Sequence, residues 1–276
     1  MHNSDRIALV FSGGGARGAY QIGFWKALET LRLTSQVVAV YGTSVGAINS
    51  AAFIQGDVLL AEKLWEQLNY QKIFQNMPQP SRKRFSRRFY TMARKAIKEK
   101  GLDVSPLKKL LRDTLDEKLI RESHLDFGLV VFDWTHKRPI YMTKEDIPDG
   151  HLIEYVIASS TFPVFQPHRI GSNIYIDGGV YDNRPLSFCQ NRKDIDKVIC
   201  IDVTMARHFW PNKKKKMSGQ VKFIRPSRLL GSPMAFDNAR IQKNIKLGYE
   251  DTLIQLEQMS AKRSGEFSFK PPVGVI

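Results

Sequence analysis

Cysteine, histidine and long apolar runs are all scarce in this 276-residue chain. Two cysteines, Cys189 and Cys200, give no disulfide framework and read as reduced thiols. No run approaches the roughly 20 apolar residues of a membrane-spanning helix. The opening Met1-His2-Asn3-Ser4-Asp5-Arg6 lacks the apolar stretch of a secretory signal. There is no internal repeat, and no Cys/His cluster has metal-ligand spacing. These absences argue against a disulfide-stapled scaffold, a helical membrane protein, a repeat array and a zinc module. A cytoplasmic globular domain is the simplest expectation.

The chain has enough length to bury a large core, and its 42% hydrophobic content supports one. Residues 1–276 are therefore expected to form a single domain. Strand-like runs at Ile7–Phe11, Val37–Tyr41, Phe127–Phe132, Asn173–Ile176 and Lys197–Val203 alternate with helical patterns. One helical pattern follows residue 18 to about Leu33, and a long one runs from about Met234 to Met259. That alternation predicts an α/β fold with a largely parallel central sheet.

Ser44 stands at the centre of Gly42-Thr43-Ser44-Val45-Gly46, between a strand and a helical run. Strand, sharp turn and helix form the context in which G-x-S-x-G acts as a nucleophile elbow. A side chain at Gly42 or Gly46 would crowd that turn. The helix N-terminus aims backbone N–H groups and a positive dipole end at any developing oxyanion. The plainer alternative is an ordinary turn whose serine caps the helix.

Upstream, the first strand runs into Ser12-Gly13-Gly14-Gly15-Ala16-Arg17-Gly18. Gly13, Gly15 and Gly18 fit G-x-G-x-x-G, so a dinucleotide fold has to be weighed. Such a fold wants an acidic residue closing the second strand, whereas here that strand ends in the serine elbow. Three successive glycines suit a loop of N–H donors close to a reacting carbonyl. Arg17 adds a fixed charge nearby, or holds the loop by hydrogen bonds.

Downstream, the strand at 173–176 ends in Asp177-Gly178-Gly179. Alone this is a common turn signal. The only histidine after Asp177 is His208, in the basic stretch Arg207-His208-Phe209-Trp210. A serine hydrolase with no well-placed histidine needs another base, and an aspartate at a strand end can contact the hydroxyl directly.

Gly-Gly-Gly-Ala-Arg-Gly at 13–18, Gly-Thr-Ser-Val-Gly at 42–46, Asp-Gly-Gly at 177–179 and the 158–165 segment together resemble the patatin-like phospholipase family, of the bacterial type. The resemblance covers about residues 5–205. It implies a three-layer α/β fold and a Ser–Asp dyad, with Ser44 as nucleophile and Asp177 as base. It also implies an oxyanion hole from the backbone of Gly13, Gly14 and Gly15, supported by Arg17, Gly18, Gly42, Gly46, Gly178 and Gly179. The implied activity is hydrolysis of acyl esters of phospholipids or lysophospholipids, without metal or cofactor. A soluble-substrate esterase or thioesterase, and a membrane-associated regulatory module with a vestigial site, remain alternatives.

The net charge is +15, and it is concentrated. Residues 81–100 carry nine Lys/Arg, Arg87 and Arg88 among them, against one Glu. Residues 207–246 carry eleven, including Lys213, Lys214, Lys215 and Lys216, against one Asp. The remainder is about three charges negative. A solvated charged face is the plain reading. Interleaved Phe85, Phe89, Tyr90, Phe209 and Trp210 admit an anionic membrane surface or nucleic acid. A lipolytic site favours the lipid, which would place a cytoplasmic enzyme peripherally at a membrane.

Overall fold

A computed structural model describes residues 5–69, 73, 101–204 and 220–264. β1 (Ile7–Phe11) is buried along its whole length, as a central parallel strand covered on both faces must be. It is followed by α1 (Ala19–Thr30), β2 (Val37–Thr43), α2 (Val45–Gln55) and α3 (Val58–Gln67). From residue 101 onward come α4 (Ser105–Thr114), α5 (Glu117–Glu122), β3 (Asp126–Asp133), β4 (Arg138–Thr143) and α6 (Leu152–Ser159). Then follow β5 (His168–Ile170), β6 (Asn173–Asp177), β7 (Lys197–Ile201), β8 (Gln220–Ile224) and α7 (Asn238–Ser264).

The sheet is mixed but mostly parallel. β3, β2, β1, β7 and β8 run parallel in that spatial order. β4, β5 and β6 join antiparallel. Period-2 alternation sorts the side chains between two cores. Ile7, Leu9 and Phe11 face the helices, packing with Phe24, Ile48 and Ile241. Ala8, Val10, Tyr41 and Cys200 face the other way, under the 186–195 segment. Phe188 from that segment stacks on Tyr41 with ring centres 4.7 Å apart. Helices, sheet and this covering segment make three layers. Both cysteines are buried, and no disulfide joins them.

One detail of strand pairing positions the site. β2 pairs with β3 only as far as Thr43 opposite Val130. β4 occupies the other edge of β3 from Gly128 to Asp133. β6 therefore continues along the β2 edge, running in the opposite direction, and its last residue Asp177 lies opposite Val131. Two strands converge end to end on one edge of β3. Ser44 and Asp177 are the residues at which they meet.

The expected strands are all present, with β7 ending at Ile201 rather than Val203. α1 stops at Thr30 rather than Leu33, and Arg32 just beyond adopts φ 54°. The C-terminal helix starts at Asn238, not Met234, because Asp237 caps it. The Asp237 carboxylate accepts the Arg240 N–H at 2.9 Å and its carbonyl accepts the Ile241 N–H at 2.9 Å. Arg87, Arg88 and Lys213 to Lys216 lie outside the described residues, as do Phe85, Phe89, Tyr90, His208, Phe209 and Trp210. Within the described part of the second basic segment, Arg225 pairs with Asp202, Arg240 with Asp237 and Lys246 with Glu250. Among the described residues no helix is long and apolar enough to cross a membrane.

Candidate active site

Ser44 has φ 58° and ψ −132°, a conformation an L-residue holds only when its surroundings enforce it. The enforcement is visible. Its N–H donates to Ser159 Oγ at 3.0 Å, and Ser159 Oγ donates in turn to the Val130 carbonyl at 2.7 Å. A Cβ on Gly46 would lie 2.2 Å from the Phe11 carbonyl oxygen, and one on Gly42 would lie 2.2 Å from that of Gly46. The elbow thus packs backbone directly on backbone. Ser44 does not cap α2 with its side chain. Its Oγ donates to Asp177 Oδ2 at 2.5 Å.

Asp177 is 4% exposed. Its Oδ1 accepts the Gly179 N–H at 2.7 Å, and its own N–H donates to the Thr161 carbonyl at 2.8 Å. Burial pushes its carboxyl up to about 6, against the opposing pull of the Ser44 and Gly179 hydrogen bonds. Near neutral pH the group is therefore ionised yet basic enough to accept a proton. Gly178 lets the strand end lie against β3, since a Cβ there would fall 2.2 Å from the Val130 carbonyl oxygen.

The glycine loop approaches from β1. The Gly13 N–H is already engaged, donating to the Asn183 carbonyl at 3.1 Å, while Asn183 Nδ2 donates to the Gly13 carbonyl at 3.3 Å. The N–H groups of Gly14 and Gly15 have no acceptor among the described residues. The three-glycine expectation thus narrows to two available donors. Gly15 has φ +57°, and a Cβ there would meet the Pro233 carbonyl oxygen at 2.2 Å. That same carbonyl accepts the Ala16 N–H at 2.7 Å. Arg17 takes the second of its two expected roles: its Nε donates to the Gly231 carbonyl at 2.8 Å. Gly18 lies under the elbow, against Val45. Behind it, Asn49 Nδ2 donates to the Gly18 carbonyl and to Gln21 Oε1, and Asn49 Oδ1 accepts from Trp65 Nε1.

Ser44, Asp177 and the glycine loop open onto a cavity of about 710 Å³. Polar Arg17, Ser160, Asn183, Thr204 and Ser232 contribute to its lining, which is otherwise mainly apolar, with Ile48, Leu107, Phe165 and Phe236. No histidine lines it among the described residues. A hydroxyl hydrogen-bonded to a basic carboxylate, two available N–H donors and an apolar chamber can together perform acyl transfer.

The site residues read from the sequence gather at this point. Sequence reasoning missed Ser159, Asn183, Asn49 and the Gly231–Pro233 segment. Ser159 lies in the 158–165 stretch that carried the resemblance. The 231–233 segment acts through main-chain carbonyls, which leave no side-chain signal.

The sequence profile of the patatin-like phospholipase family matches residues 9–189. Lysophospholipase nte1 of Aspergillus terreus is 28% identical over 185 residues, covering 64% of this chain but 10% of that protein. Probable lipid hydrolase 463L of Invertebrate iridescent virus 6 is 24% identical over 208 residues, covering 70% of this chain and 68% of that protein. Among solved structures, VipD from Legionella pneumophila superposes with TM-score 0.58 at 17% identity, over 92% of this chain and 67% of that one. Human GIVD cytosolic phospholipase A2, in complex with methyl gamma-linolenyl fluorophosphonate, gives TM-score 0.53 at 13% identity, over 94% and 58%. The chain spans a small part of the fungal relative and about two thirds of the viral one.

Proposed function

The chain belongs to the patatin-like phospholipase family, and from that premise we propose that it hydrolyses fatty-acyl esters of phospholipids or lysophospholipids through a Ser44–Asp177 dyad. The family and its relatives support lipid-ester hydrolysis by this chain; the dyad and the substrate are our reading. The observation that carries it is the 2.5 Å hydrogen bond from Ser44 Oγ to Asp177 Oδ2, made inside a mainly apolar cavity.

In this reading Ser44 Oγ attacks the ester carbonyl carbon as its proton passes to Asp177. The N–H groups of Gly14 and Gly15 receive the developing oxyanion. Collapse of the tetrahedral intermediate breaks the ester C–O bond, and the leaving alkoxide takes the proton from Asp177. Water then attacks the acyl-enzyme, giving its proton to Asp177, and the second collapse frees the fatty acid while returning that proton to Ser44. The apolar wall of the cavity would accommodate the acyl chain. We place the enzyme in the cytoplasm, acting peripherally at a membrane.

Incubating the protein with a mixed lipid extract and identifying released products tests this reading. Fatty acids and deacylated lipids should accumulate with the wild type and not with Ser44→Ala. Turnover of short soluble esters with intact lipids left untouched would favour a soluble-substrate esterase instead.

A further inference from the structure

Exposed aliphatic side chains such as Leu31, Leu59, Leu119 and Ile254 are spread over the helices and their ends, but the exposed aromatics are not spread in this way. Among the described residues, the exposed aromatics are Trp134, Phe162 and Tyr181, at 48%, 44% and 49%. All three stand at the end of the sheet where the cavity opens. Trp134 begins the β3–β4 turn, which projects beyond the level of Ser44; its N–H donates to the Ile174 carbonyl, three residues before Asp177. Phe162 lines the cavity itself. Tyr181 closes the turn after Gly178, donating its N–H to the Gly178 carbonyl. Leu229, 81% exposed, sits two residues before the Gly231 carbonyl that Arg17 holds.

Charge on the same face is biased. Lys137 lies over the Trp134 ring, 3.1 Å from its centre. Lys137, Arg138 and Arg228 are exposed, and none has a carboxylate partner among the described residues. Of the face's carboxylates, Asp202 is paired with Arg184 and Arg225 and Asp237 with Arg240, while Asp133 and Asp182 are hydrogen-bonded to His136 and Tyr141. Cations without carboxylate partners beside half-exposed aromatics match an anionic headgroup layer, where the rings enter and the cations stay at the phosphates.

We propose that the face carrying Trp134, Lys137, Arg138, Tyr181, Arg228 and Leu229 docks on a bilayer containing anionic lipid, presenting the cavity mouth to it. The inference rests on the lipid-hydrolase reading, yet it makes a claim about binding that does not require turnover. The experiment is co-sedimentation with vesicles of phosphatidylcholine alone or with phosphatidylglycerol, at low and high salt. Wild type and Ser44→Ala should both prefer the anionic vesicles, and the preference should fade as salt rises. Lys137→Gln with Arg228→Gln should weaken anionic-vesicle binding by about fivefold per charge. Trp134→Ala with Leu229→Ala should weaken binding to both vesicle types. All four side chains are exposed, so soluble-ester hydrolysis should stay at the wild-type rate, which also reports intact folding.

Wild-type binding by both double variants would overturn the proposal. So would equal wild-type binding to the two vesicle types, or tighter binding to DNA than to anionic vesicles. Failure of the hydrolase reading would appear separately, as a wild type that binds vesicles but cleaves neither lipid nor soluble ester.

Discussion

The main-chain N–H of Ser44 donates to the side chain of Ser159, whose hydroxyl proton goes to Val130. Ser159 thereby joins the elbow, the last turn of α6 and the centre of β3 in one chain of hydrogen bonds. It is fully buried, so nothing replaces it when it is removed.

Ser159→Ala should leave the Ser44 N–H and the buried Val130 carbonyl without this partner, costing about 1–3 kcal/mol of stability. The elbow would also lose one restraint on its strained φ. Denaturant unfolding alongside steady-state kinetics checks this. A lower midpoint should come with a lower kcat and an almost unchanged KM.

Asp177 makes a second prediction, in which function and stability move in opposite directions. Its folded pKa of about 6 lies above the ordinary 3.8, so the native state holds that proton more tightly than the unfolded chain. The favourable linkage is complete below pH 3.8 and is lost as pH rises through about 6. At neutral pH the buried charge then costs roughly 3 kcal/mol. Asp177→Asn should lower kcat by orders of magnitude, yet raise stability at pH 7 and leave it little changed near pH 3.5. Wild-type kcat/KM should fall on the acid side with an apparent pKa near 6, a limb absent from the variant's residual rate. Unfolding curves at the two pH values, with a pH–rate profile, decide it.

The glycine loop offers a third. A Cβ on Gly14 would lie 2.6 Å from Val203 Cγ2, so Gly14→Val should displace the N–H groups of Gly14 and Gly15. Losing one oxyanion donor typically costs about 10²–10³ in rate. The loss should appear in kcat rather than KM, for a soluble ester as for a lipid. An unchanged kcat in folded variant protein would make the loop purely structural.

The parts of this architecture that sequence revealed are those written in side chains. Ile7–Phe11 is apolar throughout because it is buried on both faces, and Gly42 and Gly46 announce the elbow around Ser44 because a side chain at either would strike backbone. Asp177 was legible through its two glycines and the shortage of histidine. The structure shows that Ser44 and Asp177 meet because β2 and β6 share an edge of β3, a long-range pairing no local pattern encodes. The Pro233 carbonyl against Gly15, and Asn183 clamping Gly13, were hidden for the same reason. β5 is only three residues long, too short for periodicity to register.

The central claim is that Ser44, activated by Asp177, is the nucleophile. The most direct test is to treat the protein with a fluorophosphonate and locate the adduct by peptide mass spectrometry. Labelling should fall on Ser44 alone, vanish in Ser44→Ala, slow sharply in Asp177→Asn, and abolish lipid hydrolysis in proportion to the fraction labelled. An adduct on another residue, or full hydrolytic activity in folded Ser44→Ala protein, would contradict it.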